Sequence, residues 1–366
     1  MITGNKGEWS ELYTLFKLLG DSQIHPGNKE IEKIEDIVFP ILRIFRTENN
    51  SLFEYSIADE IVVISGNDAI VKIPVQTFKE KASLLLDSIK QNKKTTFSVP
   101  ELGDFMHTIN CLSLKANSKV KSDITIVIHD QRTDQQSILG FSIKSQLGSP
   151  STLLNAGRTT NFIYQIFDPN LSSTEIDRIN SLVVPRGKKT SADIKSRVKA
   201  LRGRYNCKIS FQKTENTTFS NNLRLIDSKL PEILAEILLE YNSGDSSNLS
   251  NIVQTIAKNN PLNFDQTNDH SYYQYKIKRL LTDTSLGMMP SKVWSGRFEA
   301  TGGYLVVKDN GDVLCYHIYN RNEFEDYLFH NTKLETASSS RHKFGEIYKE
   351  DGKLFLKLNL QIRFIK

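Results

Sequence analysis

The stretch Ser122–Ser145 reads SDITIVIHDQRTDQQSILGFSIKS. Ser122–His129 alternates as a strand does. Asp130–Ser137 is polar and turn-like, and Ile138–Ser145 reads as a second strand, so the two together predict a hairpin. Strand side chains alternate between faces. Ser142 and Lys144 therefore share a face, and Asp123 can stand beside them on the paired strand. A lysine inside an otherwise apolar strand needs a partner or a function. Spacing alone is a weak signal, because an acid and a lysine on neighbouring strands are more often ordinary strand-end charges.

Outward from this hairpin, helices and strands mix. Toward the N-terminus, Trp9, Leu12, Tyr13, Phe16 and Leu19 follow helical spacing, and a second helix is expected over Gln76–Gln91 with Phe78, Ala82, Leu85 and Ile89 on one face. Asp36–Arg46, Ser51–Ile57 and Glu60–Ser65 read as strands, the first an edge or interrupted one because of Pro40. Toward the C-terminus, Leu230–Asn242 is an amphipathic helix with Pro231 near its start. Ser243–Asn251 is a Ser/Gly/Asn-rich linker candidate. Tyr304–Lys308, Val313–Tyr319 and Leu354–Phe364 read as strands. The expected class is α/β in the mixed α+β sense, with a central mixed sheet flanked by helices and a strand-rich C-terminal segment. The expected division is 1–95, 96–245 and 246–366: an N-terminal α/β region lending one acid, a core, and a C-terminal recognition region.

Composition is that of a globular chain, with 39% hydrophobic and 24% charged residues, so wholesale disorder is not expected. No apolar run reaches the length of a membrane span, and the polar N-terminus does not read as a signal peptide, which predicts a cytoplasmic protein. Cys111, Cys207 and Cys315 are far apart and have no metal-ligand spacing, so they read as packing residues. His317 and His342 have no spacing of a histidine–metal nuclease and read as packing or as DNA contacts. The charge is uneven. Arg186–Lys213 (RGKKTSADIKSRVKALRGRYNCKISFQK) is dense in Lys and Arg, with Asp193 its one acid. Such a stripe suits a polyanion and makes Lys188, Lys189, Arg197, Arg202 and Arg204 candidate phosphate contacts. A solvated helix face is the plainer alternative.

Metal-assisted hydrolysis of a phosphodiester needs a carboxylate at a strand start, a second oxygen ligand on the next strand, and a lysine two residues on. Asp123 followed by Ser142-Ile143-Lys144 resembles the pattern of the PD-(D/E)xK nucleases, with Ser142 where an acid is usual. Glu11 is the first candidate for the missing acid and Glu8 the second, since nucleases of this superfamily often carry a Glu on the helix before the sheet. Gln146 shares the face of Lys144. Four longer stretches resemble the HpaII family of type II restriction endonucleases: NKGEWSELYTLFKLL (Asn5–Leu19), GFSIKSQLGSPSTLLNAGRTTNFIY (Gly140–Tyr164), FSNNLRLIDSKLPEILAEILLEY (Phe219–Tyr241) and ATGGYLVVKDNGDVLCYHIYNRNEFEDYLFHNTKLET (Ala300–Thr336). That resemblance implies a PD-(D/E)xK core and Mg2+-dependent cutting of double-stranded DNA at a short G·C-rich site of the CCGG kind, leaving 5′-phosphates. A cognate DNA methyltransferase is the implied functional partner, and the active form is a monomer or a homodimer. Asp123 and Glu11 (or Glu8) are then the metal ligands, and Lys144 the catalytic lysine.

Ser149, Ser151, Thr152 and Asn155, just after the second strand, are candidate contacts to phosphate or a base edge, or else form a structural turn. Asn320, Arg321, Arg341 and His342 are candidate readers in the C-terminal region. Three rival readings stay open. One is a sequence-specific DNA-binding protein whose cleavage is impaired by the serine at 142. Another is a repair or modification-dependent nuclease. The third is a structural or interaction protein with a chance charge pattern.

Overall fold

The N-terminal helix, Lys6–Asp21, starts where Asn5 and Glu8 form a capping box and stops at Ser22, which takes the left-handed conformation. Its apolar stripe of Trp9, Leu12, Tyr13, Phe16 and Leu19 is fully buried. Burial of each such side chain contributes about 1.5–3 kcal/mol. Trp9 Nε1 donates to the Phe97 carbonyl at 3.1 Å, and Phe16 packs edge-on against Phe78 and Phe105. The helix Val75–Gln91 contributes Phe78, Ala82, Leu85 and Ile89 to the same core, as its spacing predicts.

The computed structural model describes residues 2–67, 69–115, 122–167, 171–187, 189–298, 301–317 and 319–365, apart from the side chains of Arg186 and Lys189. The chain divides into two compact units. The first comprises Met1–Ser151 with Phe298–Tyr327, and the second Thr152–Arg297 with Leu328–Ile365.

The first unit carries a mixed sheet in the order Gln23–Pro26, Val313–His317, Gly303–Val307, Gln135–Ser145, Ile124–Asp130, Phe39–Glu48, Ser51–Ala58, Ile61–Gly66, Ala69–Pro74. The predicted hairpin is its centre, with Ile124 opposite Phe141 and Asp130 opposite Gln135. Pro40 is accommodated because it lies where Phe39–Pro40 pairs with Gln23–Ile24, and the strand bulges between Ile41 and Arg43. Gly303–Val307 runs parallel to Gln135–Ser145, with Tyr304 beside Ser142 and Val306 beside Lys144. Sequence reasoning grouped these C-terminal strands with a separate recognition segment. A parallel pairing between distant segments leaves no local pattern from which to read it. Gly303 has φ +109°, and a Cβ there would lie 2.1 Å from the Tyr316 carbonyl oxygen, so no other residue fits this strand start without backbone movement.

The second unit holds a four-stranded antiparallel sheet in the order Lys208–Thr214, Asn161–Phe167, Lys353–Asn359, Ile347–Glu350. Beside it are a three-stranded sheet (Thr332–Leu334, Ile362–Phe364, Thr152–Leu154) and a hairpin (Val183–Arg186 with Lys189–Ala192). The helix Leu230–Ser243 is buried along most of its length, and Tyr164 donates its hydroxyl to the Ala235 carbonyl at 2.9 Å. The Ser/Gly-rich stretch after this helix lies within the unit. Leu334 N–H bonds to the Ser247 carbonyl, and Asn248 bridges Lys333. No helix among the described residues is long and apolar enough to cross a membrane.

His317 ends one strand of the first unit and is 1% exposed, with its ring against Phe39, Phe141 and Tyr319. Its Nδ1 accepts the Tyr319 N–H at 3.0 Å, so the neutral ring carries its proton on Nε2. Burial pushes its pKa down from 6.5 to about 4, against a smaller upward pull from Asp130. In the unfolded chain the ring takes a proton near its ordinary value, while in the fold it stays neutral until much lower pH. Between those two values the unfolded state binds more protons, so stability falls as pH falls, by up to about 3 kcal/mol from this one ring. Urea unfolding at intervals from pH 7 to pH 4.5 is expected to show a steeper loss for the wild type than for His317→Phe; equal slopes would remove this account.

Candidate active site

Asp123 stands one residue before the strand Ile124–Asp130, and the register places it opposite Ser142. It is half-buried. Its backbone N–H bonds to the Phe141 carbonyl at 2.8 Å, and its Oδ2 accepts the Ile143 N–H at 2.6 Å. One side-chain oxygen is thus fixed by the neighbouring strand. Burial raises the Asp123 pKa, and the Ile143 N–H and the charge of Lys144 pull it back down.

Lys144 is half-buried at the end of Gln135–Ser145, and its ammonium nitrogen lies 4.9 Å from the centre of the Tyr304 ring. Burial pushes its pKa down, while the negative charges of Asp123 and Glu11 push it up. The structure therefore gathers Asp123, Lys144 and Glu11 within electrostatic reach of one another, from segments far apart in the chain. Ser142, 8% exposed, lies on the same strand face between Asp123 and Tyr304.

Glu11 reaches this point because its helix is fixed at two places. The capping box sets where the helix starts. The Ser10 hydroxyl then bonds both the Lys6 carbonyl at 2.7 Å and the Ser145 hydroxyl at 2.8 Å, which ties the helix to the strand that carries Lys144. Glu8 is placed differently. One carboxylate oxygen accepts the Asn5 N–H at 2.9 Å, and the other pairs with Lys115 at 2.8 Å. Lys115, first, and then the Asn5 N–H hold the Glu8 pKa below its usual value. Gln146 follows the strand, its N–H bonded to the Val307 carbonyl and its side chain half-buried.

The donor set is all oxygen. Asp123 and Glu11 could offer two carboxylates, a donor set that fits a hard cation, since such ions often take only one or two protein carboxylates. Among the described residues no group of three His, Cys, Asp or Glu side chains gathers into a closed cage.

The other candidates fall into groups. Ser149 and Ser151 belong to the first unit, as do Asn320 and Arg321, the last paired with Glu325 at 2.7 Å. Thr152, Asn155, Arg341 and His342 belong to the second. There Asn155, Arg341 and His342 come together, with Glu335, Gln361 and Arg363, around a cleft of about 450 Å³. Arg363 is paired with Glu335 across 2.7 Å. Sequence reasoning did not single out these last three, because residues that meet from a strand and the segments beside it carry no local signature.

Of the basic stripe, Lys188 lies outside the described residues, as does the side chain of Lys189. Arg204 is exposed, and Arg202 donates to the Ser243 hydroxyl at 2.8 Å. Arg197 is withdrawn from the surface. It is 2% exposed, and its guanidinium donates to the carbonyls of Asn180, Leu182 and Gly345. Burial lowers its pKa. A signal for this was present, because Arg197 shares the helical stripe of Ile194, Val198 and Leu201, all buried.

The family model described as HpaII restriction endonuclease matches residues 5–364. The chain is 47% identical over 366 residues to the type II restriction enzyme HpaII of Haemophilus parainfluenzae, covering 99% of each protein. No solved structure matches. The chain belongs to the HpaII restriction endonuclease family, and its class is that of a type II restriction endonuclease.

Removing the Arg197 guanidinium leaves buried carbonyls without donors. Arg197→Ala is expected to cost about 3 kcal/mol or more, and Arg204→Ala less than about 0.5 kcal/mol. Denaturant unfolding of the two variants checks this, and a mild effect at Arg197 would contradict the buried placement.

Proposed function

We propose that this endonuclease cleaves double-stranded DNA by Mg2+-dependent hydrolysis at the site formed by Asp123, Lys144 and Glu11. The observation that supports this most is the approach of two carboxylates, from the N-terminal helix and the hairpin, to one half-buried lysine. Asp123 and Glu11 hold the ion in this reading, and Glu8 serves the helix cap. An Mg2+ ion held by these two carboxylates would supply Lewis-acid polarisation of the scissile phosphate and make water a better nucleophile.

The protein's own groups do the rest. The fixed Asp123 carboxylate, already bonded to Ile143 N–H, orients the reacting phosphate's neighbourhood without reorganising. The Lys144 ammonium donates to the attacking water or a non-bridging oxygen and stabilises the charge that grows on the phosphoryl group. In the step itself a water oxygen forms a new bond to phosphorus, and the bond from phosphorus to O3′ breaks. The attacking water gives up one proton to solvent and the departing O3′ takes one from solvent, so the products are a 5′-phosphate and a 3′-hydroxyl. Ser142 stands where related nucleases carry an acid, and Glu11 supplies the carboxylate that this position lacks. Gln146 extends the same face toward the phosphate.

Sequence readout falls, in this reading, to Asn155, Arg341 and His342 around the cleft of the second unit, with Ser149, Ser151, Thr152, Asn320, Arg321, Arg202 and Arg204 as backbone contacts. Arg and Asn side chains pair with base edges in two-pronged fashion. The target is a short G·C-rich site, and a cognate methyltransferase protects the host's own copies in the cytoplasm.

The test is digestion of unmethylated plasmid by the purified protein, with Mg2+ or with EDTA. Discrete fragments are expected with Mg2+ only, and their ends give the site. Lys144→Ala is expected to lower the cleavage rate at least about 100-fold while leaving DNA retardation on a gel intact. An intact plasmid that is still retarded by the wild type would instead favour a binding protein impaired by Ser142.

The two acids of the N-terminal helix give a sharper comparison. Glu11→Gln is expected to abolish fragments. Glu8→Gln is expected to keep them and to cost about 0.5–1 kcal/mol of stability through the cap. The reverse pattern in the same digestion would reassign the metal ligand to Glu8.

A further inference from the structure

Tyr304 has no role in the chemistry described above, yet it lies against the side chain that matters most there. In the parallel register its strand neighbour is Ser142, while the neighbour of Lys144 is Val306. The Lys144 ammonium nonetheless lies over the Tyr304 ring, 4.9 Å from its centre. The ammonium therefore lies against the residue that neighbours Ser142, within electrostatic reach of Asp123, which faces Ser142. A lysine has four freely turning bonds and many ways to point its charge into water. Something must select this one.

The ring face is suited to do so. Its quadrupole attracts a cation, most strongly where water is excluded. Tyr304 is 2% exposed and packs edge-on against Phe324, with ring centres 5.6 Å apart. Its backbone is fixed on the other side by Gly303, which no larger residue can replace without displacing Tyr316. The platform under the ammonium is thus held from two directions.

We propose that Tyr304 is a positioning residue, whose ring face holds the Lys144 ammonium at the Asp123 end of the strand, so that the cleavage step depends on the electron density of that ring. This rests on the reading of Lys144 given under Proposed function. Tyr304 touches no reacting atom and acts only through the lysine.

Replacing the residue with others of nearly its own shape separates attraction from packing. Tyr304→Phe keeps the ring face. Phenylalanines with one, two and three ring fluorines at position 304 keep the shape and weaken the face step by step. Three quantities are measured for each protein: the single-turnover cleavage rate of a duplex carrying the mapped site in Mg2+, the Kd for that duplex in Ca2+, and Tm. Tyr304→Phe is expected to stay within about threefold of wild type, and the rate is expected to fall stepwise to about tenfold lower at three fluorines. Kd and Tm are expected to hold steady. A flat rate across the series would overturn the proposal, and so would a fall that follows Tm, which marks packing alone. If Lys144→Ala cuts as fast as wild type, the reading of the site fails first. A flat series in an enzyme that Lys144→Ala inactivates defeats only the role of Tyr304.

Discussion

The parallel ladder between Gln135–Ser145 and Gly303–Val307 is the constraint on which the first unit depends. It gives the central hairpin its second neighbour, and the segment that supplies it comes from the far end of the chain. Parallel ladders require such crossovers and are buried on both faces in most folds. Here the result is a strand whose five residues are all buried. The ring beneath Lys144 follows from the same ladder, while the close approach at Gly303 lies on the strand's other edge, against Tyr316 of Val313–His317.

The site also illustrates how a half-buried lysine is kept beside two carboxylates. Desolvation alone favours the neutral amine. Asp123 and Glu11 oppose it, and the aromatic face adds to their effect. Each carboxylate is itself held: Asp123 by the Ile143 N–H, and Glu11 by a helix fastened through Ser10 and Ser145. The charges are set by backbone geometry, so the electrostatic role proposed for them would need little reorganisation.

Much of this was legible in the sequence. The hairpin followed from alternation, and the two N-terminal core helices from their spacing. Asp123, Lys144 and Glu11 were named together, although Glu11 entered by resemblance and Glu8 stayed open beside it. What separates the two acids is a capping box and the reach of Lys115, and only coordinates show which acid those contacts occupy. Tyr304 was unreadable, because no local pattern pairs residue 304 with 142. Arg197 is a different case. It was counted with a stripe of positive charge, while its own helical spacing already placed it among Ile194, Val198 and Leu201. Charge density says where cations are common, and periodicity says which of them face inward.

The first unit is assembled from two stretches of chain, and Thr152–Arg297 lies between them in sequence. This imposes an order in time. When the first 151 residues have left the ribosome, Asp123, Lys144 and Glu11 have all been made, but the strand Gln135–Ser145 still has one unpaired edge. That edge closes only after residue 307 emerges, and the strand Val313–His317 beyond it is later still. Domains generally fold as units, in the order in which synthesis completes them. A truncated or stalled chain therefore carries Asp123, Lys144 and Glu11 without the parallel ladder beside them. For a protein that cuts the same kind of molecule that encodes it, the ladder beside these side chains thus forms later than the side chains themselves are made.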